Sequence, residues 1–193
     1  WSAASVRFLA PIPQPRKILC VGANYADHAS ESQIRVGSEP IIFNKLPTTI
    51  CGAHDPIVLP AESDQVDFEG ELVVVIGREG KHIPRECVDD YIGGYTCGND
   101  ISARDWQKGK PGKQWLLGKS FDHFGPTGPY LVTPDELGQS AAALDLAVRL
   151  RLNDQVMQDA RTSQLVFGVD YLVAYLSNIC TLEPGDLIFT GTP

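Results

Sequence analysis

No two cysteines of this 193-residue chain stand in a C-x-x-C arrangement, and the five present, Cys20, Cys51, Cys87, Cys97 and Cys180, are odd in number. A zinc knuckle and a disulfide framework are therefore not indicated, and a reducing intracellular compartment fits, cytoplasmic or, in a eukaryote, mitochondrial. Basic residues are scarce as well: 16 Lys and Arg against 24 Asp and Glu give a formal net charge of -8. A nucleic-acid surface needs a basic stripe, so nucleic acid is excluded as a partner. An anionic small molecule needs only a local cluster of Lys and Arg within the acidic field. No apolar run reaches the roughly 20 residues that a membrane-crossing helix requires, so no membrane partner is expected. Repeats and low-complexity segments are missing too. The chain opens on Trp1-Ser2-Ala3-Ala4, and a processed or trimmed start is expected from the lack of an initiator methionine.

With 43% hydrophobic and 21% charged residues, the chain has the makings of one sizeable core. Residues 1–16, punctuated by Pro11, Pro13 and Pro15, read as an extended lead-in. Lys17–Gly22 reads as a short buried strand, and Asn24 as the N-cap of a brief helix through about Ser32. From Ile41 to Gly77 the pattern is β-rich, broken by turns at Pro47, Gly52, His54-Asp55-Pro56 and Pro60. Pro84–Ile92 suggests a short helix opened by proline. Leu144, Leu146, Val148, Leu150 and Leu152 alternate with polar or small residues, and Asn153-Asp154 supplies a two-residue turn, so a half-buried hairpin is predicted. Residues 169–180 carry apolar side chains at helical spacing. Glu183-Pro184-Gly185-Asp186 fits a type II turn before the strand Leu187–Thr190. The sum is mostly antiparallel β structure with a few helices.

The most informative feature is Glu69-Gly70-Glu71, followed by Asp100 in a glycine-rich segment, Gly93–Asp100. Residues two apart on a strand point to one face, so both glutamates project together across a glycine. Two carboxylates ~4 Å apart repel by about 4 kcal/mol at an effective dielectric near 20, which a cation among them would relieve. Oxygen ligands without Cys or His favour Mg²⁺, Mn²⁺ or Ca²⁺ over zinc. A lone Glu-x-Glu is otherwise a solvated strand edge.

Other polar residues offer chemistry around such a centre. His28 and Glu31 are side by side if their segment is helical, and a carboxylate on one imidazole nitrogen leaves the other free to take a proton. Arg104, Gln107 and Lys119 are donors suited to a carboxylate or an enolate. Thr190-Gly191-Thr192-Pro193 ends the last strand with hydroxyls and a glycine where a backbone meets a ligand. Taken singly, each has a bland reading as solvated loop chemistry. Gly118-Lys119-Ser120 imitates the end of a phosphate-binding loop, but Lys113 stands where the earlier glycine is needed. His54, His82 and His123 read as surface histidines, with His123 close enough in sequence to Lys119 to line a site.

These stretches together resemble the fumarylacetoacetate hydrolase family. The matching residues are Val21–Tyr25 with His28 and Glu31, Asp67–Leu72, Gly98–Asp105, Gly118–Asp122 and Pro184–Asp186 through Thr190–Pro193. Trp106-Gln107 and Lys113–Lys119 resemble in particular its domain-containing-protein 2 branch. The resemblance implies an α+β, predominantly β fold, a mixed β-roll with short peripheral helices, formed by residues 17–193 and working as a homodimer. It implies Mg²⁺ or Mn²⁺ on Glu69, Glu71 and Asp100, with His28 and Glu31 activating water, Lys119 stabilising an oxyanion, and Arg104, Gln107 and Thr192 orienting a small anionic keto-acid substrate.

The reaction classes implied are carbon-carbon bond hydrolysis of acylpyruvates or fumarylacetoacetate and oxaloacetate tautomerisation or decarboxylation, all through a metal-bound enolate. Family chains continue past Thr-Gly-Thr-Pro into further strands, so the resemblance also implies that C-terminal strands are lacking here. The alternative, from another class, is a truncated and catalytically silent metal-binding module that acts by dimerising.

Overall fold

Val73, Val74 and Val75 form an unbroken β-branched run, and both faces of the strand that carries them are buried. Such a run, without polar alternation, marks a strand covered on each side. A computed structural model describes residues 2, 5–26 and 37–193. Its strands, in chain order, are β1 Ile18–Gly22, β2 Ile41–Asn44, β3 Ile50–Gly52, β4 Val66–Asp67, β5 Gly70–Ile76, β6 Ile92–Asn99, β7 Ser102–Ala103, β8 Gly125–Thr127, β9 Ala147–Leu152, β10 Gln155–Arg161 and β11 Leu187–Phe189. The helices are α1 Trp115–Lys119, α2 Pro134–Leu137 and α3 Val169–Ile179.

Seven strands make a mixed sheet in the order β2-β1-β11-β5-β6-β8-β3, with β5 at its centre. Most pairs are antiparallel, while β1 with β11 and β3 with β8 are parallel. Leu72, Val74 and Ile76 face Val169, Leu172, Val173 and Leu176 of α3. On the other face of the sheet Val73 and Val75 pack beside their cross-strand neighbours Phe189 and Leu187 of β11 and, beyond them, Cys20 and Ile18 of β1. A ribbon of β4 and β7 covers a third cluster around Ile101, Ala103 and Phe124. The architecture is the α+β, predominantly β one expected, with helices short and peripheral.

The hairpin of β9 and β10 turns at Asn153 and Asp154, both with positive φ, the geometry of a two-residue primed turn. Gly185 has φ +87°, as the third position of a type II turn demands. Lys17 and Cys180 fall just outside β1 and α3, and three further boundaries differ from the sequence reading. Pro84–Ile92 winds as tight 3₁₀ turns over Arg85–Tyr91, with Pro84 extended just outside; only Val88 in it is buried, too little apolar surface to hold a longer α-helix. The strand expected from Leu144 starts at Ala147, because Thr162 holds Leu144 O and Leu146 N–H through its hydroxyl. The last strand ends at Phe189. Ala26 is helical, but the remainder of the helix expected through Ser32 lies outside the described residues, as do His28 and Glu31. The Asn24 side chain joins distant segments: its amide donates to Phe167 O and Thr190 O and accepts from Phe167 N–H.

Candidate active site

Register sets the three acids together. Gly70 pairs with Asn99 and Glu71 with Gly98, so Glu69 and Asp100 meet just beyond the paired ends, where Asp100 N–H donates to Glu69 O at 2.8 Å. One carboxylate oxygen from each of Glu69, Glu71 and Asp100 lies within 4.8 Å of the other two. All three residues are buried, Asp100 completely. Anions so placed are costly unless paired, and two of them are. Lys119 Nζ donates to Glu69 Oε2 at 2.7 Å and to Asp100 Oδ2 at 2.8 Å. Arg104 reaches Glu69 Oε1 at 2.7 Å, and Lys45 Nζ donates to Asp100 Oδ1 at 2.6 Å.

Glu71 differs. Among the described residues it has no ion-pair partner, and Oε2 accepts a hydrogen bond from Gly191 N–H at 2.7 Å. Burial, reinforced by Asp100 and Glu69, pushes its carboxyl well above the ordinary glutamate range. Burial acts in the same direction on Glu69, but Lys119 and Arg104 outweigh it and bring that carboxyl below its usual value. Lys119 is raised, since its two carboxylates overcome the desolvation that would lower it. Glu71 is therefore the one acid of the triad that no Lys or Arg among the described residues neutralises, and burial favours its protonated form while no cation is bound. Hard oxygen donors at this separation fit a divalent cation of the Mg²⁺, Mn²⁺ or Ca²⁺ kind.

Donors line a cleft of about 20 Å³ beside the triad, bounded by Phe43, Trp115, Gln107, Lys119 and Thr192. Gln107 lies on a π-helical turn, Asp105–Gly109, a distortion frequent at functional sites. Gly118 of α1 packs so closely on that turn that a Cβ there would lie 2.7 Å from Gln107 N. Gln107 Oε1 accepts from Arg104, and its Nε2 has no partner among the described residues, leaving two N–H groups for a ligand. Arg104 is otherwise engaged by Asp67, at 2.8 and 2.9 Å. It thus serves as a brace between Asp67, Glu69 and Gln107. The Thr192 hydroxyl donates to Gly70 O and accepts from Gln158 Nε2.

Six of the nine residues expected to act, Glu69, Glu71, Asp100, Arg104, Gln107 and Lys119, are thus in contact or adjacent, and Thr192 borders the cleft. His28 and Glu31 are not placed, lying outside the described residues. His123 is exposed and hydrogen-bonded to Thr48 O through its N–H, away from the cleft lining. Sequence reasoning missed Lys45 and Gln158. Lys45 follows an edge strand in a polar-looking Asn44-Lys45 pair, and nothing local signals its burial. Gln158 sits at an irregularity in the β9–β10 register, visible only once strands are paired. A larger groove of about 470 Å³ between β6 and β9 is lined mainly by apolar side chains such as Leu72, Val132, Val148 and Leu150, so the polar chemistry gathers at the small cleft.

The chain is 49% identical over 192 residues to the protein named oxaloacetate tautomerase fahd2, mitochondrial, of Xenopus laevis, covering 100% of this chain and 59% of that one. It is 48% identical to oxaloacetate tautomerase FAHD2B, mitochondrial, of Homo sapiens, covering 100% of this chain and 60% of that one. The chain thus spans about three-fifths of the length of these curated relatives. The crystal structure of 5-carboxymethyl-2-hydroxymuconate delta-isomerase from Mycobacterium smegmatis superposes with a TM-score of 0.87 at 44% identity, covering 100% of this chain and 71% of that one. Residues 17–193 match the family described as fumarylacetoacetate (FAA) hydrolase C-terminal, and with the buried acid triad at the end of β5 the conclusion is plain: this chain belongs to the fumarylacetoacetate hydrolase family.

Proposed function

We propose that this chain carries the active site of a divalent-cation-dependent enzyme acting on short keto or diketo acids, with keto-enol tautomerisation of oxaloacetate as its reaction. The observation that carries the reading is the buried triad, in which Glu71 has no cationic partner among the described residues, beside a cleft lined by Lys119 and Gln107. The names of relatives about 49% identical, oxaloacetate tautomerases, support the choice of substrate, although fold alone sets no reaction. The cation is Mg²⁺ or Mn²⁺, held by Glu69, Glu71 and Asp100. When bound, it supplies a Lewis acid for the oxygens of a 2-keto carboxylate.

The chain's own residues do the rest. Tautomerisation moves a proton from the carbon next to a carbonyl to that carbonyl's oxygen, and negative charge develops on the oxygen in between. Lys119, held protonated by Glu69 and Asp100, and the Gln107 amide, whose Nε2 has no partner among the described residues, are donors for that charge. Arg104 fixes Gln107 and Glu69 in place through its ion pair with Asp67. The His28-Glu31 pair, read from the sequence alone, is the base that takes the carbon-bound proton or, for an acylpyruvate, activates water. The working enzyme is a homodimer in an intracellular compartment. In a eukaryote that compartment is mitochondrial, as the relatives' names support.

The test follows the enol absorbance of oxaloacetate with Mg²⁺, with Mn²⁺ and with EDTA, alongside hydrolysis of an acylpyruvate. Metal-dependent acceleration of the keto-enol exchange is expected. A folded sample without it refutes the reading, and faster acylpyruvate cleavage than exchange reassigns the site to hydrolysis. His28→Ala is expected to slow proton removal from carbon by 10²-fold or more, about 3 kcal/mol of barrier.

A further inference from the structure

Lys45 is, with Lys119, one of two lysines enclosed almost completely among the described residues, its side chain 0% exposed. Its ammonium has three N–H donors, and three protein acceptors surround it. Asp100 Oδ1 lies at 2.6 Å, Ile101 O at 3.3 Å, and Lys119 O makes a short contact. No donor is left over for a substrate. The residue enters the site from β2 at the far edge of the sheet, with its own N–H on Ile18 O of β1, while the next residue, Leu46, donates to Ser120 Oγ just past Lys119.

The consequence is a division of labour on Asp100. Its Oδ1 is held by Lys45 and its Oδ2 by Lys119, so the plane of the carboxylate is fixed from both sides. At the same time Lys45 grips the main-chain carbonyl of Lys119 itself. One side chain therefore sets both a carboxylate of the triad and the backbone from which the cleft's ammonium projects.

We propose that Lys45 is a positioning residue for the cation site, locking Asp100 and the Lys119 main chain in the geometry that divalent-cation binding requires. The inference rests on the cation-dependent reading above. A methionine at position 45 matches the length of the lysine stem but makes none of the three hydrogen bonds, leaving Asp100 Oδ1 and Lys119 O buried and unpaired.

The experiment is a calorimetric Mn²⁺ titration of the intact wild-type chain and of Lys45→Met, with folding checked by circular dichroism and the Mn²⁺-loaded forms compared by electron paramagnetic resonance. We expect one Mn²⁺ per wild-type chain, at least a fivefold loss of affinity in the variant, and an altered zero-field splitting that reports a distorted ligand set. A folded variant with less than fivefold loss and a wild-type spectrum overturns the role of Lys45 while leaving the metal reading intact. A wild-type chain that takes up no Mn²⁺ overturns the metal reading, and this inference with it. Should Lys45→Met not fold, Lys45→Gln, which keeps a donor, is held to the same threshold. Failure of both to fold assigns Lys45 to general stability and overturns the proposal.

Discussion

Gly191 N–H donates to Glu71 Oε2 at 2.7 Å, joining the loop after the last strand to an acid 120 positions earlier in the chain. Gly191 has φ +100°, a conformation that residues with a Cβ rarely adopt. A Cβ there would also lie 2.8 Å from Asn24 Cβ. Gly191→Ala is therefore expected to cost about 2 kcal/mol or more of folding stability, measured by urea denaturation, and to weaken Mn²⁺ binding. Unchanged stability would mean that the loop does not depend on this backbone geometry.

Glu71→Gln separates the roles of charge. The buried carboxyl is pushed upward by desolvation and by Asp100 and Glu69, so its ionised form opposes folding when no cation is bound. A neutral amide removes that opposition. The variant is expected to melt no lower than the wild type in EDTA, yet to bind Mn²⁺ at least tenfold more weakly. A variant that melts far lower in EDTA would show that Glu71 acts mainly as a structural acceptor for Gly191.

Lys119→Met removes the cation that bridges Glu69 and Asp100. Breaking one side of a buried ion pair costs about 3–5 kcal/mol, and saturating Mn²⁺ is expected to restore part of it by binding the folded state. Turnover is expected to fall by about 10²-fold or more even in the Mn²⁺-stabilised protein. Thermal melts with and without Mn²⁺, beside the enol assay, check both. Full activity would exclude Lys119 from the chemistry.

Tyr95 supplies a pH dependence. Its hydroxyl is buried without a hydrogen-bond partner among the described residues, and burial, aided by Asp89, raises the phenol above its ordinary value of 10.0. The unfolded chain loses this proton from about pH 10 upward, while the folded chain keeps it. Stability is therefore fully present below pH 10 and is lost as pH rises toward the folded value, by up to about 1.4 kcal/mol per pH unit for one group. Tyr95→Phe is expected to flatten this alkaline decline at little cost at pH 7. Parallel slopes for the two proteins between pH 10 and 11 would show that Tyr95 does not drive it.

Local chemistry made much of this protein legible. A run of β-branched residues marks β5, two turn residues between alternating strands mark the β9–β10 hairpin, and Pro-Gly marks the turn at Gly185. Glu69 and Glu71 follow from period-two geometry, and Asp100 from its place at the end of a glycine-rich strand. Those features depend on neighbours within a few residues, whose preferences the chain expresses wherever they occur.

What folding alone decided is who meets whom across the sheet. The antiparallel pairing of β11 with β5, with Phe189 opposite Val73, puts the Gly191 loop against Glu71. The edge position of β2 brings Lys45 beneath Asp100, and the hairpin sets Gln158 across Gly70 and Thr192. Arg104, which the motif suggests for substrate, is turned by its surroundings onto Asp67, Glu69 and Gln107. Burial and charge pairing are properties of distant segments brought together, so a lysine that braces the site and one that faces water look the same until the chain has folded.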